Sequence, residues 1–148
     1  MRSVLIADAN VFLDTSVLIY AAQGRKAHPH HFEVARRIVV EEDYCTSAQV
    51  LAEFFDTVIN KGDRPLTQEQ ARTWVTVISK KPCQDIDVPL VKAGMSIAQR
   101  YQTSYWDGAI IAAAERLGAK TIYSEDLNHG QTYGSVQAIN PFLPSPSQ

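Results

Sequence analysis

Cysteine is almost missing from these 148 residues: Cys45 and Cys83 are the only two. Neither belongs to a Cys-x-x-Cys pair, which excludes zinc-ribbon and thioredoxin-type redox motifs. No apolar run approaches the roughly 20 residues that a membrane-spanning helix needs. The start does not read as a secretory leader, because Asp8 interrupts the run Val4-Leu5-Ile6-Ala7 too soon after Arg2. Positive charge is also short, with 14 Lys and Arg against 16 Asp and Glu for a formal net charge of −2. That balance excludes a protein that coats nucleic acid by charge alone. It leaves room for an enzyme that touches a few phosphates and relies on metal ions for the rest. Repeats, linkers and a second composition zone are lacking, so residues 1–148 read as one domain. A chain of this length buries roughly 68–70% of its unfolded surface and needs no disulfide staples. The two thiols are then reduced cysteines of a cytosolic protein.

What the sequence has is alternation. Asn10 to Asp14 reads as a short buried strand, and Ser16 to Gln23 as a helix stopped by Gly24. A second helix runs from His31 to Glu42, and Tyr44-Cys45-Thr46 is the next strand. Thr46 and Gln49 have capping-box spacing ahead of a helix with Val50, Leu51, Phe54, Phe55, Val58 and Ile59. Lys61-Gly62 ends that helix, and Thr67 with Glu69 opens another. Cys83 to Val88 alternates like a strand, and Pro89 suits the first turn of a helix reaching Tyr101. Ser104 and Asp107 cap an alanine-rich helix that ends at Leu117-Gly118. Lys120 to Ser124 and Val136 to Ile139 are further strands, and the Pro- and Ser-rich end from Pro141 to Gln148 reads as a frayed tail. Strands alternating with helices predict a mostly parallel sheet covered on both faces, a three-layer α/β/α sandwich. In such sheets the chemistry sits at the carboxyl ends of strands, near a topological switch point.

Four acids fall at or near those ends. Asp14 ends the first strand, and taken alone it reads as a helix cap, a place where Asp is favoured. Glu53 lies beside Val50 at the edge of an apolar helical face, where glutamates are commonly solvated. Asp107 shares a face with Ile110, Ile111 and Ala114, which puts a carboxylate at the top of a core-facing stripe. Asp126 stands in a turn after a strand, and its neighbour Glu125 is an alternative inward group. Carboxylates ~4 Å apart repel by about 4 kcal/mol at an effective dielectric near 20. Acids that converge must therefore share protons or bind a cation. Oxygen-only donors suit Mg²⁺ or Mn²⁺ rather than zinc.

The stretches that carry these acids resemble a known family. Phe12-Leu13-Asp14-Thr15-Ser16-Val17-Leu18-Ile19-Tyr20 is similar to the opening motif of PIN-domain nucleases. Ser47 to Phe54 resembles the segment carrying their glutamate, Tyr105 to Ala114 their third motif, and Ile122 to Gly130 their fourth, with Ile139-Asn140-Pro141-Phe142 as the usual finish. The nearest look within the family is that of VapC-type toxins of bacterial toxin–antitoxin pairs. The resemblance implies a Mg²⁺- or Mn²⁺-dependent ribonuclease with Asp14, Glu53, Asp107 and Asp126 as metal ligands. It also implies an RNA substrate, a small antitoxin that inserts a segment into the groove, and a homodimer. Asp8-Ala9-Asn10 also fits an acid-x-Asn opening, but the strand-to-helix order favours Asp14.

The reading that follows is one or two ions activating water for in-line attack on a phosphodiester. Ser16 and Ser104 are expected to hydrogen-bond the ligands and fix their rotamers. Arg25, Lys26, Lys61, Arg64, Lys80 and Lys81 are candidate phosphate contacts, although solvated surface is the better explanation of any one of them. His28, His30 and His31 lack a partner motif and read as an exposed loop and helix start. Tyr105 and Trp106 are of a kind that stacks bases, but core packing is the preferred reading of both. A haloacid-dehalogenase-type phosphatase wants a second Asp where this chain has Ser16. The remaining rivals are an inert RNA- or protein-binding module and a housekeeping RNA-processing nuclease.

Overall fold

The predicted first strand lies at the centre of the sheet. In β1 (Val11–Leu13), Phe12 and Leu13 are fully buried, as an apolar run with no polar face requires of a strand covered on both sides. The computed structural model describes residues 10–61 and 65–144. Asp8 and the rest of the expected 1–9 extension, Gly62, Arg64 and tail residues 145–148 lie outside them.

After β1 come α1 (Thr15–Gln23), α2 (Pro29–Glu41), β2 (Tyr44–Ser47), α3 (Ala48–Asn60), α4 (Gln68–Ile78) and β3 (Cys83–Gln84). The second half holds α5 (Val88–Tyr101), α6 (Tyr105–Arg116), β4 (Thr121–Tyr123), β5 (Thr132–Tyr133) and β6 (Val136–Ile139). The sheet order is β3-β2-β1-β4-β6-β5. Every pairing is parallel except β5 with β6. From β1 the chain steps outward to β2 and β3, then crosses back to β4 on the other side of β1. The two central strands therefore flank the switch point, where the carboxyl ends open a crevice. Helices α1 to α4 pack among themselves and α5 packs on α6, while β2, buried along its whole length, touches both α3 and α6. This is the expected three-layer α/β/α sandwich. No helix among the described residues is long and apolar enough to cross a membrane.

Two local predictions are corrected and one element is added. The cap of α3 is Ser47, whose Oγ accepts from the Val50 amide at 3.2 Å. Thr46 instead stays in β2, where its hydroxyl donates to the Leu13 carbonyl at 2.9 Å. The strand expected over Cys83 to Val88 pairs for only two residues, because Asp87 leaves the sheet to cap α5. The short hairpin strand β5 was not foreseen. Its turn into β6 uses Gly134 at φ +62°, a conformation that favours glycine.

Helices α5 and α6 meet through glycine. A Cβ on Gly108 would lie 2.5 Å from the Gly94 carbonyl oxygen, and one on Gly94 would lie 2.9 Å from the Ala109 Cα. The small residues let the two backbones touch, which fixes the start of α6 against the rest of its layer.

Candidate active site

Asp14 is the first residue past β1, yet its amide still donates to the Tyr123 carbonyl at 3.1 Å. It is the N-cap of α1, as a local reading expects, with Oδ1 accepting from the Thr15 amide at 2.7 Å. Its other oxygen accepts from the Ser124 hydroxyl at 2.7 Å. Capping does not use up this carboxylate, because the residue also lines a cleft at the switch point. Burial, which leaves it only 5% exposed, pushes its pKa up to about 6. The hydrogen bonds from Ser124 and Thr15 pull the other way, and the nearby charges of Asp126 and Glu53 add to the rise.

The same cleft, an open hollow of about 420 Å³, is lined by Glu53, Asp107 and Asp126. The structure thus brings together four acids from four distant stretches of sequence. Glu53 sits in the second turn of α3, half-buried, and its Oε1 accepts from the Thr15 hydroxyl at 3.1 Å. Asp107 lies in the first turn of α6, where burial raises its pKa, Asp126 raises it further, and the Ser104 hydroxyl lowers it. Asp126 is exposed at the rim, and its amide donates to the Ser124 Oγ at 3.1 Å. Ser124 is therefore a clasp, donating to one acid and accepting from the backbone of another.

Glu125 turns away from the cleft. Its carboxylate accepts from the Tyr20 hydroxyl at 3.1 and 3.3 Å and meets His31 Nε2 at 3.4 Å. Of the acidic pair, Asp126 is the one that faces the other acids. His31, expected on an exposed helix start, is instead half-buried and stacked on Phe142 at 4.7 Å; His28 and His30 are exposed. Ser104 caps α6 through the Asp107 amide at 3.1 Å. Ser16 differs from expectation. It lines the cleft, but its buried hydroxyl has no hydrogen-bond partner. Sequence reasoning missed Ser124 and Thr15, which hydrogen-bond the acids, and Asp56 and Thr57, which line the cleft beside them. Asp56 lies three residues after Glu53, a spacing that shares a helical face and was there to be read.

None of the cations singled out as phosphate contacts lines the cleft among the described residues. Arg25 pairs with Glu33 at 2.9 Å, and Lys81 sits over the Tyr44 ring at 4.9 Å. A larger hollow of about 580 Å³ lies between the end of α1 and α4, but among the described residues Glu69 is the one ionisable group lining it.

As the side chains are turned, no three His, Cys, Asp or Glu groups among the described residues stand close enough to hold a metal ion between them. The fit to a hard divalent cation is chemical: oxygen donors only, an orphaned hydroxyl on Ser16 aimed at no protein atom, and a buried carboxylate that resists ionising alone.

A family model described as the PIN domain matches residues 11–134. No curated protein matches the chain in sequence. Among solved structures, the chain is similar to Mycobacterium tuberculosis VapC20, described as a sarcin–ricin loop cleaving toxin, with TM-score 0.62 and 16% identity over 78% of this chain and 89% of that one. It is similar to a chain of FitAB bound to a DNA fragment, with TM-score 0.64 and 18% identity over 93% of this chain and 99% of that one. A toxin–antitoxin complex from Klebsiella pneumoniae gives TM-score 0.65 and 14% identity over 88% of this chain and 97% of that one. At these identities the likeness is one of fold.

Proposed function

The chain belongs to the PIN domain family, and on that premise we propose that it is a metal-dependent endoribonuclease, the toxin half of a toxin–antitoxin pair. The observation that carries this reading is the cleft at the β1/β4 switch point, lined by Asp14, Glu53, Asp107 and Asp126. A Mg²⁺ or Mn²⁺ ion held by these carboxylates would neutralise phosphate charge and supply an acidified water for hydrolysis. The protein's own part is orientation. Ser124 and the Thr15 amide fix both oxygens of Asp14, the Thr15 hydroxyl fixes Glu53, and Ser124 anchors the backbone of Asp126. Asp14, with its pKa of about 6, is mostly ionised at neutral pH and is then ready to act as a ligand.

The solved neighbours described as toxins or toxin–antitoxin complexes support a small antitoxin as partner. The sequence resemblance adds a cytoplasmic homodimer to the same reading. One observation favours an inert RNA- or protein-binding module: the wide setting of the carboxylates, which do not close on an ion as they stand.

The test is cleavage of single-stranded and structured RNA by the purified chain with Mn²⁺ or Mg²⁺, beside Asp14→Asn. Metal-dependent cleavage that vanishes in the variant is the expected result. Absence of cleavage, or equal cleavage by the variant, rejects the reading in favour of the inert module.

A further inference from the structure

Every charged side chain lining the cleft among the described residues is negative: Asp14, Glu53, Asp56, Asp107 and Asp126. A nucleic-acid strand entering it gains no phosphate contact from Lys or Arg, the groups that ordinarily dominate such affinity. Something other than protein charge has to hold the substrate. The lining offers one group suited to that, Trp106, which directly precedes Asp107.

Trp106 is 61% exposed and is the only aromatic among the large hydrophobic residues left exposed in the described structure. An indole in water does nothing for the core, so packing does not explain its place. The contrast is Trp74, half-buried and packed against Phe54 with centroids 6.1 Å apart. The backbone under Trp106 is held, because Gln49 Nε2 donates to its carbonyl at 3.3 Å and so ties α6 to the start of α3. The ring itself is steadied by Tyr105, at 5.0 Å between centroids and 74° between planes. A protein-docking aromatic would be expected among apolar neighbours, whereas the hollow beside this one sets Ile19 and Ile110 among five carboxylates and three hydroxyls.

We propose that Trp106 is the base-stacking residue of this site. One unpaired base of single-stranded RNA lies on the indole while the adjoining phosphodiester enters the acid cleft. Stacking on an aromatic face is independent of charge and tolerant of sequence. It would make Trp106 a specificity-determining residue for unpaired over paired RNA. The inference rests on the nuclease reading above and deepens it.

The test uses the whole chain. Trp74→Phe leaves Trp106 as the sole indole, and Ca²⁺ in place of Mg²⁺ keeps a hard cation available to an intact Asp14 while mixing is read before turnover. A single-stranded RNA dodecamer in Ca²⁺ should quench the emission, and an abasic dodecamer of the same length should not. In the otherwise native chain, Trp106→Ala should raise KM for RNA cleavage about 5- to 150-fold, the usual size for a lost base stack. The kcat should stay within about threefold, and Trp106→Phe should recover most of the loss. Unchanged KM in Trp106→Ala, or equal quenching by the abasic strand, overturns the inference. So does an emission change that follows protein concentration without RNA, which makes the indole a contact between copies. Quenching by RNA alone, from a chain that cleaves nothing, upholds the stacking role while the nuclease reading falls.

Discussion

Replacing Asp14 with Asn should make the protein more stable and inactive at once. In the unfolded chain the carboxyl ionises near 3.8, and in the folded one at about 6. Below pH 3.8 both states hold the proton and the burial of this group carries no charge penalty. Between there and about pH 6 the unfolded chain releases its proton while the folded chain keeps it, so stability falls as pH rises. Above 6 the loss is complete. At about 1.4 kcal/mol per pH unit this amounts to about 3 kcal/mol at pH 8. Asn keeps the bond from the Thr15 amide but presents an amide N–H where Ser124 now donates, which costs about 1 kcal/mol. The net gain of about 2 kcal/mol corresponds to a Tm about 4–8 °C higher in a chain of this size. Calorimetric melts with chelator at pH 8 and pH 4 would measure it, and at pH 4 the gap should close or slightly reverse, because most of the charge penalty is gone while the cost of the Asn amide remains. Adding Mg²⁺ at 100 times its Kd should then stabilise the native chain by about 2.7 kcal/mol and leave the variant unmoved. A variant no more stable than the parent at pH 8, or a gap independent of pH, refutes the reasoning.

The other expectations concern the remaining groups. Glu53→Gln and Asp107→Asn should each lower metal-dependent RNA cleavage by more than about 100-fold, read as initial rates, beyond what loss of a supporting residue does. Ser124→Ala, which frees Asp14 and the Asp126 backbone together, should weaken Mn²⁺ binding by calorimetry about 10- to 100-fold with the secondary structure unchanged by circular dichroism. Glu125→Gln touches only Tyr20 and His31 and should leave kcat within about threefold. A large loss there would reassign the fourth acid. Phe54→Ala empties a fully buried site and should cost about 3–5 kcal/mol in denaturant unfolding.

The order of strands and helices was legible because the apolar runs and caps agree with it, as with Pro89 inside the first turn of α5 and Gly118 just past α6. What failed was local. Thr46 and Ser47 both carry a hydroxyl able to cap α3, and only the sheet decides between them, by taking the Thr46 hydroxyl for the Leu13 carbonyl. Asp87 alternates like a strand residue, yet its carboxylate caps α5 and pairs with Arg116 at 3.0 Å, a long-range partner no local pattern reveals. The two-residue strand β5 is too short to carry a period. In the candidate site, the strand ends announced Asp14 and Asp126, but separating Asp126 from Glu125 needed Tyr20, more than a hundred residues away in sequence. Trp106 was open to two readings because an aromatic beside an apolar stripe looks the same whether it faces inward or out.

The meeting of Gly94 with Gly108 ties the crossing of α5 and α6 to the wall of the cleft. Because main chain rests on main chain there, no rotamer adjustment is available to absorb an added methyl group. Asp107 is peptide-bonded to Gly108, so a displacement at the crossing moves the start of its side chain too. A methyl group added at either glycine, though neither lines the cleft, is expected to shift one wall of the acid cleft while leaving the sheet in place.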